Sequence, residues 1–102
     1  MSQKLGICVT TRANLDHVVG LARAAKATGR EVDTFFTGEG VLLTQAPGFG
    51  ELLGEATVKV CEVSYFANGL KGREVPGLVD KDFVTQGRNA EMVDECDRYL
   101  IL

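Results

Sequence analysis

Cys8, Cys61, Cys96 and the single histidine, His17, are the side chains best suited to nucleophilic or proton-transfer chemistry. Of these, Cys61 stands at a junction that favours it. It closes the alternating run Ala56-Thr57-Val58-Lys59-Val60, which reads as a short strand. It also opens Glu62-Val63-Ser64-Tyr65-Phe66-Ala67-Asn68-Gly69, which reads as a short helix stopping at Asn68-Gly69. A thiol there sits at the carboxyl end of a strand and the amino end of a helix. The unpaired N–H groups of a first helical turn and the helix dipole favour an anion at that point. The thiolate is the reactive form, so the placement predicts a nucleophile. The competing reading is a small buried hydrophobe at a strand end, a common situation for free cysteine.

The other candidates have stronger structural readings. Cys8 lies inside Lys4–Val9, the most apolar segment, where desolvation keeps a thiol protonated. Cys96 falls between the last helix and the last strand, at the end of the sheet away from the predicted crevice. His17 sits on the first helix as an exposed or half-buried side chain; the alternative has it facing the crevice and supplying a proton or charge near Cys61. Arg12 follows the first strand and is either solvated or paired with an anionic group on Cys61.

An odd number of widely spaced cysteines with one histidine matches neither a disulfide framework nor a zinc site. Gly38-Glu39-Gly40 follows a strand, but the third glycine of a dinucleotide fingerprint is missing, because position 43 is Leu43. No metal and no cofactor is expected.

The elements that must position Cys61 alternate. A strand over 4–9 leads through Thr10-Thr11-Arg12-Ala13 to a helix capped by Asn14 or Thr11. Its apolar stripe is Leu15, Val18, Val19, Leu21, Ala22 and Ala25, and it ends at Gly29. A strand over 31–36 precedes a turn over 37–40 and a helical stretch from Val41 that Pro47-Gly48 interrupts. After the Cys61 strand and helix, 71–79 is mostly loop. A short strand over 83–85, a helix over 87–95 with Met92 and Val93 inward, and a terminal strand over 99–102 complete the chain. Strands apolar on both faces and separated by helices imply an α/β fold with a parallel sheet covered on both sides. In such sheets the functional crevice lies beyond the carboxyl ends of the strands. That rule gathers the loops at 10–14, 37–40, 61–64 and 86–88, and with them Ser64, Gly38, Gln86 and Arg12 as groups to bind what Cys61 acts on.

The chain's 102 residues suffice for a single domain, 1–102, with one hydrophobic core. Its net charge of −3 is spread without a basic cluster, which argues against nucleic acid as a partner. No apolar run approaches the ~20 residues that span a bilayer. The opening Met1-Ser2-Gln3-Lys4-Leu5 runs into polar residues without a small-residue cleavage site. A cytoplasmic protein with no membrane partner is expected.

The segment Val58-Lys59-Val60-Cys61, a short helix ending at Gly69, and Cys96-Asp97-Arg98 before an apolar terminal strand together resemble the DsrE/DsrF-like (TusD-type) sulfur-relay family. The opening Lys4-Leu5-Gly6-Ile7-Cys8-Val9-Thr10-Thr11 and the helix carrying Asp16-His17 are similar to its small single-domain members. The resemblance implies a three-layer α/β/α sandwich with a five-stranded parallel sheet, assembled as a trimer or hexamer. It implies that Cys61 accepts sulfane sulfur as a persulfide and exchanges it with donor and acceptor proteins. One departure is visible: relay members often carry a basic residue just before the glycine that ends this helix, and here it is Asn68. The expectation is a sulfur carrier or sulfurtransferase acting through Cys61, with Ser64 and the N–H groups of residues 63 to 65 around the sulfur. The alternative is a non-catalytic small-ligand or partner-binding subunit.

Overall fold

Lys4–Val9 forms β1 and pairs in parallel, along its whole length, with Glu31–Phe36, β2. Residues 3–102 are described by this computed structural model; Met1 and Ser2, which open the segment read for an export signal, lie outside them. Thr57–Cys61, β3, pairs with β2, and the two-residue Phe83–Val84, β4, pairs with β3. Arg98–Ile101, β5, returns to the other side of β1. The result is a five-stranded, all-parallel sheet in the order β4-β3-β2-β1-β5, an α/β fold as the alternation predicts.

The helices are α1 (Leu15–Ala27), α2 (Gly50–Leu53), α3 (Glu62–Ala67) and α4 (Gly87–Glu95). Gly38–Gln45 forms a 3₁₀ helix, so helical structure starts inside the segment read as a turn. Asn14 occupies the N-cap of α1 by position, but its amide donates to Thr11 Oγ1 (3.0 Å) instead of capping the first turn.

Strand side chains alternate between two apolar clusters. Leu5, Ile7, Val9, Val32, Phe36, Val58 and Val60 join Val18, Val19 and Ala22 of α1, Leu52 of α2 and Tyr65 of α3. Cys8, Phe35 and Cys61 point the other way and meet Met92 of α4, with Val84, Cys96 and Tyr99 at the margin. All three cysteines therefore belong to the smaller cluster, and α4 is the helix that packs on it. Met92 is fully buried, whereas Val93 is 55% exposed, contrary to the inward pair predicted. Successive helical residues point ~100° apart, and a single helix on this face has room for one of them. Met92→Ala should cost ~2–5 kcal/mol in denaturant unfolding, because it empties the centre of this cluster.

Coverage is uneven along the sheet. β5 is exposed or half-buried throughout, with Leu100 39% and Ile101 67% exposed, so the expectation that every strand is buried on both faces fails at this edge. Among the described residues no helix is long and apolar enough to cross a membrane.

Candidate functional site: the Cys61 thiol

Three of the four loops predicted to converge do so. β2 ends at Phe36, and Thr37 turns into the 3₁₀ helix through Gly38, whose φ of +55° an L side chain seldom adopts. Two residues on, a Cβ at Gly40 would lie 2.1 Å from the Val9 carbonyl oxygen. Glycine alone lets this loop lie against the end of β1. The Gly38 N–H then donates to Ser64 Oγ at 3.0 Å. From the amino end of α4, the Gln86 amide donates to Thr37 Oγ1 (2.8 Å) and to Cys61 Sγ (3.4 Å).

Proton accounting shows what this arrangement favours. Ser64 Oγ and Thr37 Oγ1 lie 3.3 Å apart, and each already accepts one hydrogen bond. Each hydroxyl has one proton to give. Whichever of the two donates across that contact, the other keeps its proton free, and the direct hydrogen bond to the sulfur is the one from the Gln86 amide. Burial pushes the thiol up, but the Ser64 hydroxyl and N–H, the Gln86 amide and the Thr37 hydroxyl outweigh it and hold Cys61 below its ordinary value.

This agrees in part with the predicted cause. α3 is only six residues long, and Cys61, at its N-cap position, makes no fully formed capping hydrogen bond through its side chain. Of the N–H groups of residues 63 to 65, the one at Ser64 is near enough to favour the anion, beside the side-chain donors. The sulfur is also covered: Cys61 is 2% exposed, and the Gln86 amide lies on it.

Ser64, Gly38 and Gln86 thus stand where sequence reasoning put them. Arg12 does not: it is exposed, and among the described residues it makes no hydrogen bond or ion pair. The loop after β1 turns instead toward β5, with the Thr10 hydroxyl donating to the Leu102 carbonyl (2.9 Å). His17 is exposed on α1. Burial pushes the Cys8 thiol up despite the neighbouring Tyr99 hydroxyl, and Tyr99 itself is pushed up to about 12 by burial and its contact with Cys8. Cys96 is half-buried, and desolvation with the Asp33 charge nearby raises it too. Of the three thiols, Cys61 is the one biased toward ionisation.

The supports of the site went unpredicted. Thr37 was readable only as a turn residue, although its hydroxyl at a strand's carboxyl end was a signal. Asn68 donates to the Ser64 carbonyl (2.8 Å) and the Gly38 carbonyl (3.1 Å), tying α3 to the loop after β2. Arg88 reaches Asp33 at 3.0 Å and anchors the first turn of α4, a pairing across 55 positions that no local pattern announces. Lys59, two residues before Cys61, is spent on Asp82 at 2.8 Å. Among the described residues no group of three or more His, Cys, Asp or Glu is placed to hold a metal ion.

The Lys59–Asp82 pair ties β3 to the residue just before β4. Burial opposes the Asp82 charge, yet the hydrogen bonds from Lys59 and the Val79 N–H and the Lys59 and Lys81 charges hold its carboxyl below the ordinary 3.8. A depressed folded-state pKa adds stability that is present above the unfolded pKa and is lost as pH falls through the folded one. Asp82→Asn should therefore destabilise the protein by ~1–3 kcal/mol at neutral pH. Unfolding curves at decreasing pH should show that deficit closing below pH 3.8.

Neither a scan against models of known protein families nor a comparison with curated proteins finds a match for this chain.

Proposed function

We propose that the protein carries sulfane sulfur as a persulfide on Cys61, exchanging it between donor and acceptor proteins, the activity implied by its likeness to the DsrE/DsrF-like sulfur-relay family. The observation that carries this reading is one sulfur bonded by the Gln86 amide, with the linked Ser64 and Thr37 hydroxyls beside it and its thiol held below the ordinary pKa. A thiolate is the attacking form, and a persulfide is an anion at neutral pH, so the same donors serve reactant and product. In the transfer, the Cys61 thiolate attacks the outer sulfur of a donor R–S–SH. The donor S–S bond breaks as the new one forms, giving Cys61–S–SH and R–S⁻ with no net oxidation. Attack by an acceptor thiolate on the outer sulfur reverses the step. The chemistry requires no cofactor.

The test is to treat the protein with inorganic polysulfide and map added sulfur by peptide mass spectrometry. Sulfur on Cys61 that disappears in Cys61→Ser supports the reading. Sulfur confined to Cys8 or Cys96, or undiminished in the variant, ends it.

The same reading has a cytoplasmic, three-layer protein working as a homo-oligomer, a trimer or hexamer. The apolar, uncovered edge at Leu100 and Ile101 supports association, since free strand edges invite pairing. A monomer in sedimentation at micromolar concentration would count against it.

One observation favours a second reading. With Cys61 only 2% exposed, it can also be a lining residue of a non-catalytic ligand- or partner-binding subunit. A pH titration of iodoacetamide reactivity separates the two. Half-maximal reactivity of Cys61 near or above the ordinary ~8.5 favours the second, and a lower midpoint favours the first.

A further inference from the structure

We infer that the Gln86 side chain is a latch over Cys61, selecting by size what reaches the sulfur and moving aside when an outer sulfur is added. The inference deepens the sulfur-carrier reading and rests on it for the second half.

The geometry has three parts. Cys61 is almost wholly buried, while Gln86, which touches its sulfur, is an exposed residue. A covered nucleophile whose cover is itself on the surface lies one side chain away from solvent. Second, the two Gln86 amide protons are both directed inward, to Thr37 Oγ1 at 2.8 Å and to Cys61 Sγ at 3.4 Å, so these two bonds hold the cover down. Third, the hinge is firm. Arg88 is bonded to Asp33, the Tyr99 hydroxyl donates to Asn89, and the Gln86 carbonyl accepts from the Asn89 N–H, so the turn carrying Gln86 is pinned and its side-chain torsions are the free coordinates. A persulfide adds a whole sulfur atom beyond Sγ. The Gln86 amide occupies one approach to Sγ and is the group there that can leave without disturbing the sheet.

Gln86→Ala removes both bonds and the cover. The test follows the rate of Cys61 modification across pH with small iodoacetamide and bulky N-ethylmaleimide, located by peptide mass mapping. Dividing each rate by the thiolate fraction read from the same pH curve removes the donor effect of the amide. The corrected maleimide rate should rise roughly tenfold or more, as expected for releasing two hydrogen bonds of ordinary net strength. The iodoacetamide rate should rise less. Gln86→Asn, which keeps the amide but shortens its reach, should behave like Gln86→Ala. Unchanged corrected rates, or equal gains for both reagents, overturn the latch and leave Gln86 a thiolate donor only. Persulfide mapping on the same proteins after polysulfide treatment judges the underlying reading separately. Faster alkylation with no sulfur on Cys61 in any protein rejects the sulfur carrier and keeps the cover. Loading at equal rates in wild type and Gln86→Ala rejects displacement on loading.

Discussion

Ser64→Ala should lower the alkylation rate of Cys61 at neutral pH by roughly tenfold, because a hydrogen bond to a charged acceptor contributes ~1.5–3 kcal/mol and the Thr37 hydroxyl, freed of Ser64, restores part of it. Ser64 heads the groups that favour the thiolate and is the middle of the donor chain, accepting from Gly38 and lying 3.3 Å from Thr37 Oγ1. Its removal also leaves the exposed Gly38 N–H to water. The pH dependence makes the result diagnostic. A donor that stabilises thiolate moves the midpoint of the reactivity curve, so the variant should fall far behind at neutral pH and approach the wild-type rate in alkali, where both thiols are ionised. A uniform loss at every pH would mean instead that the substitution changed access or structure. Ser64→Cys or Ser64→Thr, keeping a donor at the position, should recover part of the rate. The unfolding midpoint serves as control, since Ser64 is half-buried on the short α3 and its loss should cost little stability.

Gly40→Ala is the largest stability effect to expect. The added Cβ would stand 2.1 Å from the Val9 carbonyl oxygen and 2.7 Å from its carbon, both main-chain atoms of a central strand. Neither can swing away as a side chain would. Inserting a methyl group into packed surroundings costs ~1–3 kcal/mol, and a backbone obstacle belongs at or above the top of that range. Val9 also accepts the Thr37 N–H, so pushing the loop off β1 strains the residue that Gln86 holds. Thermal or denaturant unfolding should show the loss, and Cys61 should become less selective between small and bulky reagents. Gly20→Ala, in α1 with open space around its Cβ, is the matched control and should be neutral or mildly stabilising.

Strand positions were readable because their periodicity is dictated by burial on each face. β1 and β2 span the residues 4–9 and 31–36 that the apolar pattern assigns them, and Cys61 falls at the strand-to-helix junction that local pattern assigns it. The strand-end rule then picked out Gly38, Ser64 and Gln86 from three separate stretches of chain. What local pattern could not supply was which way a loop leaves. Arg12 stands at the end of the central strand yet is drawn toward β5, because Thr10 finds its partner at Leu102. Val93 looked inward because it is apolar and adjacent to Met92, but the width of the cover, a tertiary quantity, leaves it outside. The thiol's environment was legible in sign and only partly in cause. A helix end was expected to supply the positive potential, and its Ser64 N–H contributes, but side chains 24, 3 and 25 positions from Cys61, those of Thr37, Ser64 and Gln86, contribute beside it. Such pairings depend on strand order, which sequence spacing does not encode.

The smaller apolar cluster has one helix over it, and that helix begins with the latch. Detachment of α4 as a unit would uncover Met92, Cys8 and Cys61 together while leaving the larger cluster packed on the other face. Subglobal openings of this kind occur at free energies below global unfolding. The amide protons of residues 90 to 95 should accordingly exchange sooner than those of β1 and β2. The residual reactivity of Cys61 toward large reagents should track that exchange rate across denaturant concentrations. Whatever tightens α4, including Arg88 on Asp33 at a distance from the sulfur, then sets the background leak of the thiol.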